Sequence, residues 1–275
     1  MKINLPLKFK NLFLVQEFRL RILSTVVLLL LFVGLYVLGN PFISYFFVMI
    51  FFVLFYEFEL ISNNGTKKNK IIKILIFQFL LLTFLISELY LSNIVDQFSN
   101  FLVILTFSLF INFIFLKNYI NWLSFFISNL IILSFFSLIN ILIQPDGLSF
   151  LLYLVILIST MDIFAYLGGK TFGKKTIAPN ISKGKTIEGT AIGICVTVLM
   201  SLIIKHLANF NIFHALIAGI LIALLAFFGD LLESYLKRNI GIKDSGKLIP
   251  GHGGLMDRFD GYFLNLPLYN IYLIS

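Results

Sequence analysis

Charge is scarce in this sequence. Of its 275 residues only 12% are charged, while 59% are hydrophobic. A soluble domain carries about 25% charged and about 45–50% apolar residues. The apolar excess is too large for a buried core and requires a bilayer as its solvent. Cysteine is nearly absent: the single Cys195 excludes an internal disulfide framework. Its apolar surroundings read as those of a small buried hydrophobe rather than a nucleophile. The first apolar run is not followed by a small-residue cleavage site, so the N-terminus does not read as a plain secretory signal. Internal repeats and low-complexity linkers are lacking, as are the full phosphate-binding-loop spacing and any Ser-His-Asp or Cys-His set. The net charge of +8 is not gathered on one soluble face, which excludes nucleic acid as a partner.

Long apolar runs are what the chain has instead. A helix needs about 20 mostly apolar residues to cross the hydrocarbon core. Nine segments qualify, at roughly 22–39, 41–61, 71–92, 100–116, 119–143, 149–168, 190–208, 212–232 and 259–275. The expected fold is therefore all-α, a polytopic membrane bundle. Cytoplasmic loops are enriched in Lys and Arg. With the N-terminus inside, nine crossings put 20 of the 21 basic residues on the cytoplasmic side and leave only Lys205 outside. One helix more or fewer breaks this alternation. Residues 11–20 fit an interfacial amphipathic helix.

Residues 1–150 read as transmembrane scaffold, and 151–275 as a catalytic membrane region with two cytoplasmic loops. In the scaffold, Glu57, Glu59 and Glu88 sit near helix ends, where carboxylates reach water. Seven of the 13 acidic residues lie between Asp162 and Asp260. Asp162 stands inside an apolar helix, where an ionisable group is a functional candidate by default. A structural hydrogen bond to a neighbouring helix is the competing reading. The stretch from Gly168 to Gly189 contains Gly-Lys-Thr twice, as Gly169-Lys170-Thr171 and Gly184-Lys185-Thr186. Glycine lets backbone amides approach an anion and lysine supplies charge, although a plain positive-inside loop would look the same.

The last loop is more specific. Asp230, Glu233 and Ser234 share one helix face, and Asp257 and Asp260 are also three apart. The chain between returns to the same membrane side, so two carboxylate pairs meet there. Lys237, Arg238, Lys243, Lys247 and Arg258 surround them. Facing carboxylates need a hard cation, and Mg²⁺ takes one or two carboxylates plus substrate phosphates. Such a mixture suits phosphoryl or nucleotidyl transfer, which depends on positioning and charge neutralisation. His252 lies between glycines in this loop, with phosphate contact and proton transfer both open to it. His206 and His214 fall on the opposite side.

The frame Ser234, Lys237-Arg238, Lys243-Asp244, Pro250-Gly251-His252-Gly253-Gly254, Asp257-Arg258 and Asp260 resembles the signature of the phosphatidate cytidylyltransferases. Upstream, Asp162, Ala165-Tyr166, Gly168, Phe172-Gly173-Lys174 and Lys185-Thr186 are similar to the same family's pattern. The resemblance covers roughly residues 159–262. Three departures stand out. Ser182-Lys183-Gly184 replaces an expected Ser-Pro step, Ile192-Gly193 replaces a Gly-Gly, and Gly261 replaces a serine.

The resemblance implies a multi-pass enzyme of the inner (plasma) membrane, a homodimer. It would convert CTP and phosphatidic acid to CDP-diacylglycerol and pyrophosphate in phospholipid biosynthesis. It implies Mg²⁺, with K⁺ as an optional second cation. The implied metal ligands are Asp230 and Asp257, supported by Asp260 and Asp244. Lys237, Arg258 and His252 join the two aspartates as catalytic candidates. Lys185, Thr186, Ser182, Arg238, Lys243, Gly253, Gly254 and Asp162 are the substrate-binding candidates. The alternatives are a CTP-dependent kinase of a polyprenol-type alcohol, a cytidylyltransferase for another lipid phosphate and, from another class, a transporter with Asp162 at its midplane.

Overall fold

The computed structural model describes residues 40–62, 66, 68–77, 121–246 and 254–274, with Gly34 and a few positions between 106 and 114. The expected interfacial helix at 11–20, most of the expected spans at 22–39, 71–92 and 100–116, and Glu88, Lys247, His252 and Gly253 lie outside the described residues.

Helices dominate. In chain order they are α1 (Asn40–Ser62), α2 (Trp122–Ile143), α3 (Gly147–Phe172), α4 (Ile187–Ile203), α5 (Ile212–Asn239), the single turn α6 (Met256–Phe259) and α7 (Tyr262–Ile274). Among the described residues, four stretches, Phe42–Ser62, Trp122–Ile143, Gly147–Phe172 and Ile212–Asn239, are long and apolar enough to cross a membrane. Two other expected spans are shorter as helices: α4 has 17 residues and α7 has 13.

The expectation of an all-α chain misses one feature. Between α3 and α4 lies an antiparallel hairpin, β1 (Thr176–Ala178) and β2 (Ser182–Thr186), with Thr176 opposite Thr186 and Ala178 opposite Ser182. Its turn is local chemistry. Pro179 presets the bend at the second position of a β-turn, closed by Ile181 N–H donating to Ala178 O at 3.0 Å. At the end of β2 the Thr186 side chain caps α4, accepting the Gly189 N–H at 3.2 Å. Glu188 accepts the N–H groups of Lys174 and Lys175 at 3.0 and 3.3 Å and ties the strand entry to the start of α4.

Close helix approach explains the centre of the bundle. α4 buries Gly189, Gly193, Thr197 and Ser201, a stripe of small residues four apart, which lets backbones approach closely. A Cβ at Gly193 would meet Met161 and Ala165 of α3, and the neighbouring Ile192 fills the space left by Gly168. Cys195 lies off this stripe and is exposed, contrary to the buried position expected from its apolar neighbours. Hydropathy registers surroundings along the chain, not the face on which a residue falls.

α7 carries Pro267, which has no N–H to give the carbonyl four residues back. That carbonyl, Phe263 O, lies 2.9 Å from Ser134 Oγ of α2, which also reaches Leu130 O at 2.6 Å. The single Ser134 hydroxyl proton is thus shared between its own helix and the proline-freed carbonyl, one way membrane helices re-satisfy such groups.

Glu57 and Glu59 are buried, at 5% and 0% exposure, rather than reaching water. Glu59 pairs with Lys73 at 2.7 Å, and Glu57 accepts the Met256 N–H at 3.0 Å.

Candidate active site

α5 is longer than the expected 212–232 and carries Asp230, Glu233, Ser234, Lys237 and Arg238 on one continuous helix. Two pairs with four-residue spacing support the added turns. Ser234 Oγ donates to Asp230 Oδ1 at 3.1 Å, and Lys237 Nζ stands 2.6 Å from Glu233 Oε2. The helix stops where Gly241, at φ 79°, takes the left-handed conformation that glycine adopts readily.

The hairpin delivers the partner of Asp230. Lys185 Nζ, from β2, lies 2.6 Å from Asp230 Oδ2 and 5.0 Å from the centre of the Phe227 ring. Phe227 sits three residues before Asp230, on the same face of α5. That spacing was the only signal for it in the sequence. A cleft of about 280 Å³ opens here, lined by Asp162, Tyr166, Ser182, Lys185, Thr186 and Asp230 among others. Five of the expected site residues, from three separated segments, therefore face one space. Asp162 opens onto it from α3 rather than being sealed between helices.

A second ionic centre adjoins the first. Lys237 Nζ bridges from Glu233 to Asp257 Oδ1, which it meets at 2.7 Å. Asp257 also accepts Ser245 N–H at 3.1 Å and Gly254 N–H at 3.0 Å on Oδ2. Burial alone would raise the Asp257 carboxyl, but Lys237 and these two N–H groups outweigh it and hold it below the usual carboxylate range. Both oxygens of Asp257 are thus engaged in fixing the loop. Gly254 gives its N–H to Asp257, not to the open cleft.

Asp260 connects the two centres. A Cβ at Gly229 of α5 would press on the Asp260 carbonyl, so that glycine lets the turn after α6 settle beside Asp230. Burial, then the negative charges of Asp230 and Asp162, push the Asp260 carboxyl up to about 7. The Gly261 N–H donates to Asp260 Oδ1 at 2.7 Å and opposes that shift in part. Gly261, where the resembling family has serine, packs against Ile158 and Ala226.

The other expected residues are placed differently. Arg238 braces the hairpin, with Nε donating to Ile181 O at 3.2 Å and an Nη donating to Ile242 O at 2.9 Å. Lys243 and Asp244 are exposed on the loop after α5, outside the cleft lining. Arg258 borders a small apolar cavity with Phe47, Leu138 and Tyr262, and its charge reaches Asp162. Among the described residues, no three His, Cys, Asp or Glu side chains stand close enough to hold a metal by themselves.

Over residues 19–275 the sequence matches the cytidylyltransferase family. The chain belongs to that family. Phosphatidate cytidylyltransferase of Staphylococcus aureus (strain COL) is 42% identical over 127 residues, 46% of this chain and 49% of that protein. The enzyme of the same name from Staphylococcus haemolyticus is 39% identical over the same shares. An uncharacterized Escherichia coli K12 protein, YnbB, is 45% identical over 119 residues, 43% of this chain and 40% of its own length. The chain spans about half the length, or less, of these curated relatives.

Proposed function

We propose that the protein is a phosphatidate cytidylyltransferase. The observation that supports this best is the cleft in which Lys185 and Asp230 face each other beside Ser182, Thr186 and Asp162, in a chain of the cytidylyltransferase family. An anionic oxygen of phosphatidic acid attacks the α-phosphorus of CTP. The bond from that phosphorus to the bridging oxygen of the β-phosphate breaks. CDP-diacylglycerol forms and pyrophosphate leaves. The nucleophile is already an anion, so no strong base is needed. Lys185 offsets charge on the phosphates, while Lys237 keeps Asp257 and the loop in place.

Carboxylate oxygens are the donors Mg²⁺ prefers, and it usually takes one or two of them plus substrate phosphates. The raised Asp260, crowded by Asp230 and Asp162, fits that donor set. Asp230 and Asp260 would hold Mg²⁺, with K⁺ as an optional second cation in the same cluster. Bound there, a divalent cation supplies charge neutralisation for the phosphates. Asp257 joins it only by giving up part of its bonding to Lys237, Ser245 and Gly254, and Asp244 only by movement of its loop.

The proposal extends to topology. Nine crossings put the N-terminus and both reactive loops in the cytoplasm, where CTP is, with phosphatidic acid in the facing leaflet of the inner membrane. Residues 1–150 form the scaffold and 151–275 the catalytic region, and the working unit is a homodimer.

CTP labelled at the α- or γ-phosphate tests the reading. Transfer of the α label to phosphatidic acid supports it. Transfer of the γ label to a lipid alcohol makes the protein a CTP-dependent kinase instead. Substrate flux without CTP turnover makes it a transporter.

A further inference from the structure

Glu57 belongs to α1, far from the reactive loops in sequence, yet its carboxylate ends among them. The side chain is 5% exposed. Oε2 accepts the Met256 N–H at 3.0 Å, at the first residue of α6. Directly after Met256 come Asp257, Arg258 and, one residue on, Asp260.

Two glycines make room for this carboxylate. A Cβ on Gly246 would collide with Glu57 Oε1, and one on Gly254 would stand 3.0 Å from Glu57 Oε2. These glycines adjoin the donors that Asp257 uses. Ser245 and Gly254 give their N–H groups to Asp257 at 3.1 and 3.0 Å. The crossing of 245–246 over 254–256 is therefore held from two sides by two carboxylates. Asp257 holds it from within the loop, and Glu57 holds it from the scaffold.

We infer that Glu57 is a positioning residue, an acceptor from the scaffold that sets where Asp257 and Asp260 stand relative to Asp230. It does not line the cleft and acts through the Met256 backbone. A misplacement of about 1 Å at a site that works by positioning costs up to about a hundredfold in rate. A scaffold helix thus takes part in catalysis without touching substrate.

The test compares Glu57→Gln, Glu57→Asp and Glu57→Ala in the full-length protein in detergent. The amide introduced by Glu57→Gln keeps an oxygen acceptor at the same reach. Glu57→Asp keeps the charge but withdraws the acceptor, and Glu57→Ala removes both. Hydrogen exchange of peptides spanning 254–260 should quicken by about tenfold or more in Glu57→Ala and Glu57→Asp, with α5 peptides unchanged. In the same two variants kcat should fall by about tenfold or more, with KM for CTP within about threefold of wild type. Glu57→Gln should recover most of both. Unchanged exchange at 254–260, or a Glu57→Gln variant as impaired as Glu57→Ala, overturns the inference. Should Glu57→Ala not fold, Glu57→Asp against Glu57→Gln decides it. The kinetic arm rests on the cytidylyl-transfer reading and the exchange arm does not. A wild type without transfer activity therefore sinks that reading while exchange still tests the latch.

Discussion

Lys185 on the hairpin and Asp230 on α5 meet at 2.6 Å in the lining of the cleft. The pair is partly solvated, and such pairs contribute about 0–1 kcal/mol to stability. Its value lies elsewhere: under the proposed reaction, Lys185 is the cation that faces the phosphates in the cleft. Lys185→Met should leave the melting temperature nearly unchanged and lower kcat/KM for CTP by roughly a hundredfold or more, the cost of losing one stabilising donor. Thermal melts beside steady-state kinetics check both halves.

Asp257 should behave differently from Asp230. Its partner Lys237 is 10% exposed and Asp257 itself 12%. Asp257→Asn leaves Lys237 paired with Glu233 but weakens the bonding of Asp257 to Lys237, Ser245 and Gly254, at a cost of about 1–3 kcal/mol. Asp257→Asn should therefore lose activity and melt below wild type. Asp230→Asn should lose activity with little change in melting. Equal melting temperatures for the two variants would place Asp257 in the reactive group itself.

Asp260 gives a pH dependence whose sign is fixed. Its carboxyl titrates at about 7 in the fold, against about 3.9 unfolded. Between those values the folded chain binds more protons than the unfolded one, so metal-free stability falls as pH rises through that window. In EDTA the melting temperature should be higher at about pH 5.5 than at about pH 8, and Mg²⁺ should raise it chiefly at the higher pH. Asp260→Asn should shrink that difference, because Asp260 shares its burial and charge with Asp230 and Asp162.

Gly229 is a steric requirement. A Cβ there would strike the Asp260 carbonyl, which is backbone and does not yield easily. Gly229→Ala should destabilise by about 1–3 kcal/mol, the usual cost of overpacking, and lower activity by moving Asp260 from Asp230. Melting and turnover measured together test this.

Local spacing made part of the site legible. The Asp230–Ser234 contact follows from the shared helix face read from their spacing, whereas the Glu233–Lys237 pair lies past the expected helix end and Thr186 was read as a substrate contact rather than the cap of α4. The charge cluster around Asp257 was visible as composition. Contacts made by folding were not. Nothing local says that Lys185 finds Asp230, that Gly254 serves Asp257, or that Glu57 leaves the helix end for the Met256 N–H. The hairpin was hidden because strands of three and five residues leave too little alternation to read beside a Lys- and Gly-rich loop. Family likeness assigned Arg238 to substrate, and nothing local says that its guanidinium also reaches Ile181 O and Ile242 O.

Product analysis is the most direct test of the central claim. Purified protein is given CTP, phosphatidic acid and Mg²⁺, and lipids and phosphates are identified by mass spectrometry, with Asp230→Asn in parallel. The account predicts CDP-diacylglycerol and pyrophosphate in equal amounts from the wild type and neither from the variant. CTP left intact by a folded wild type, or CDP appearing in place of pyrophosphate, would contradict it.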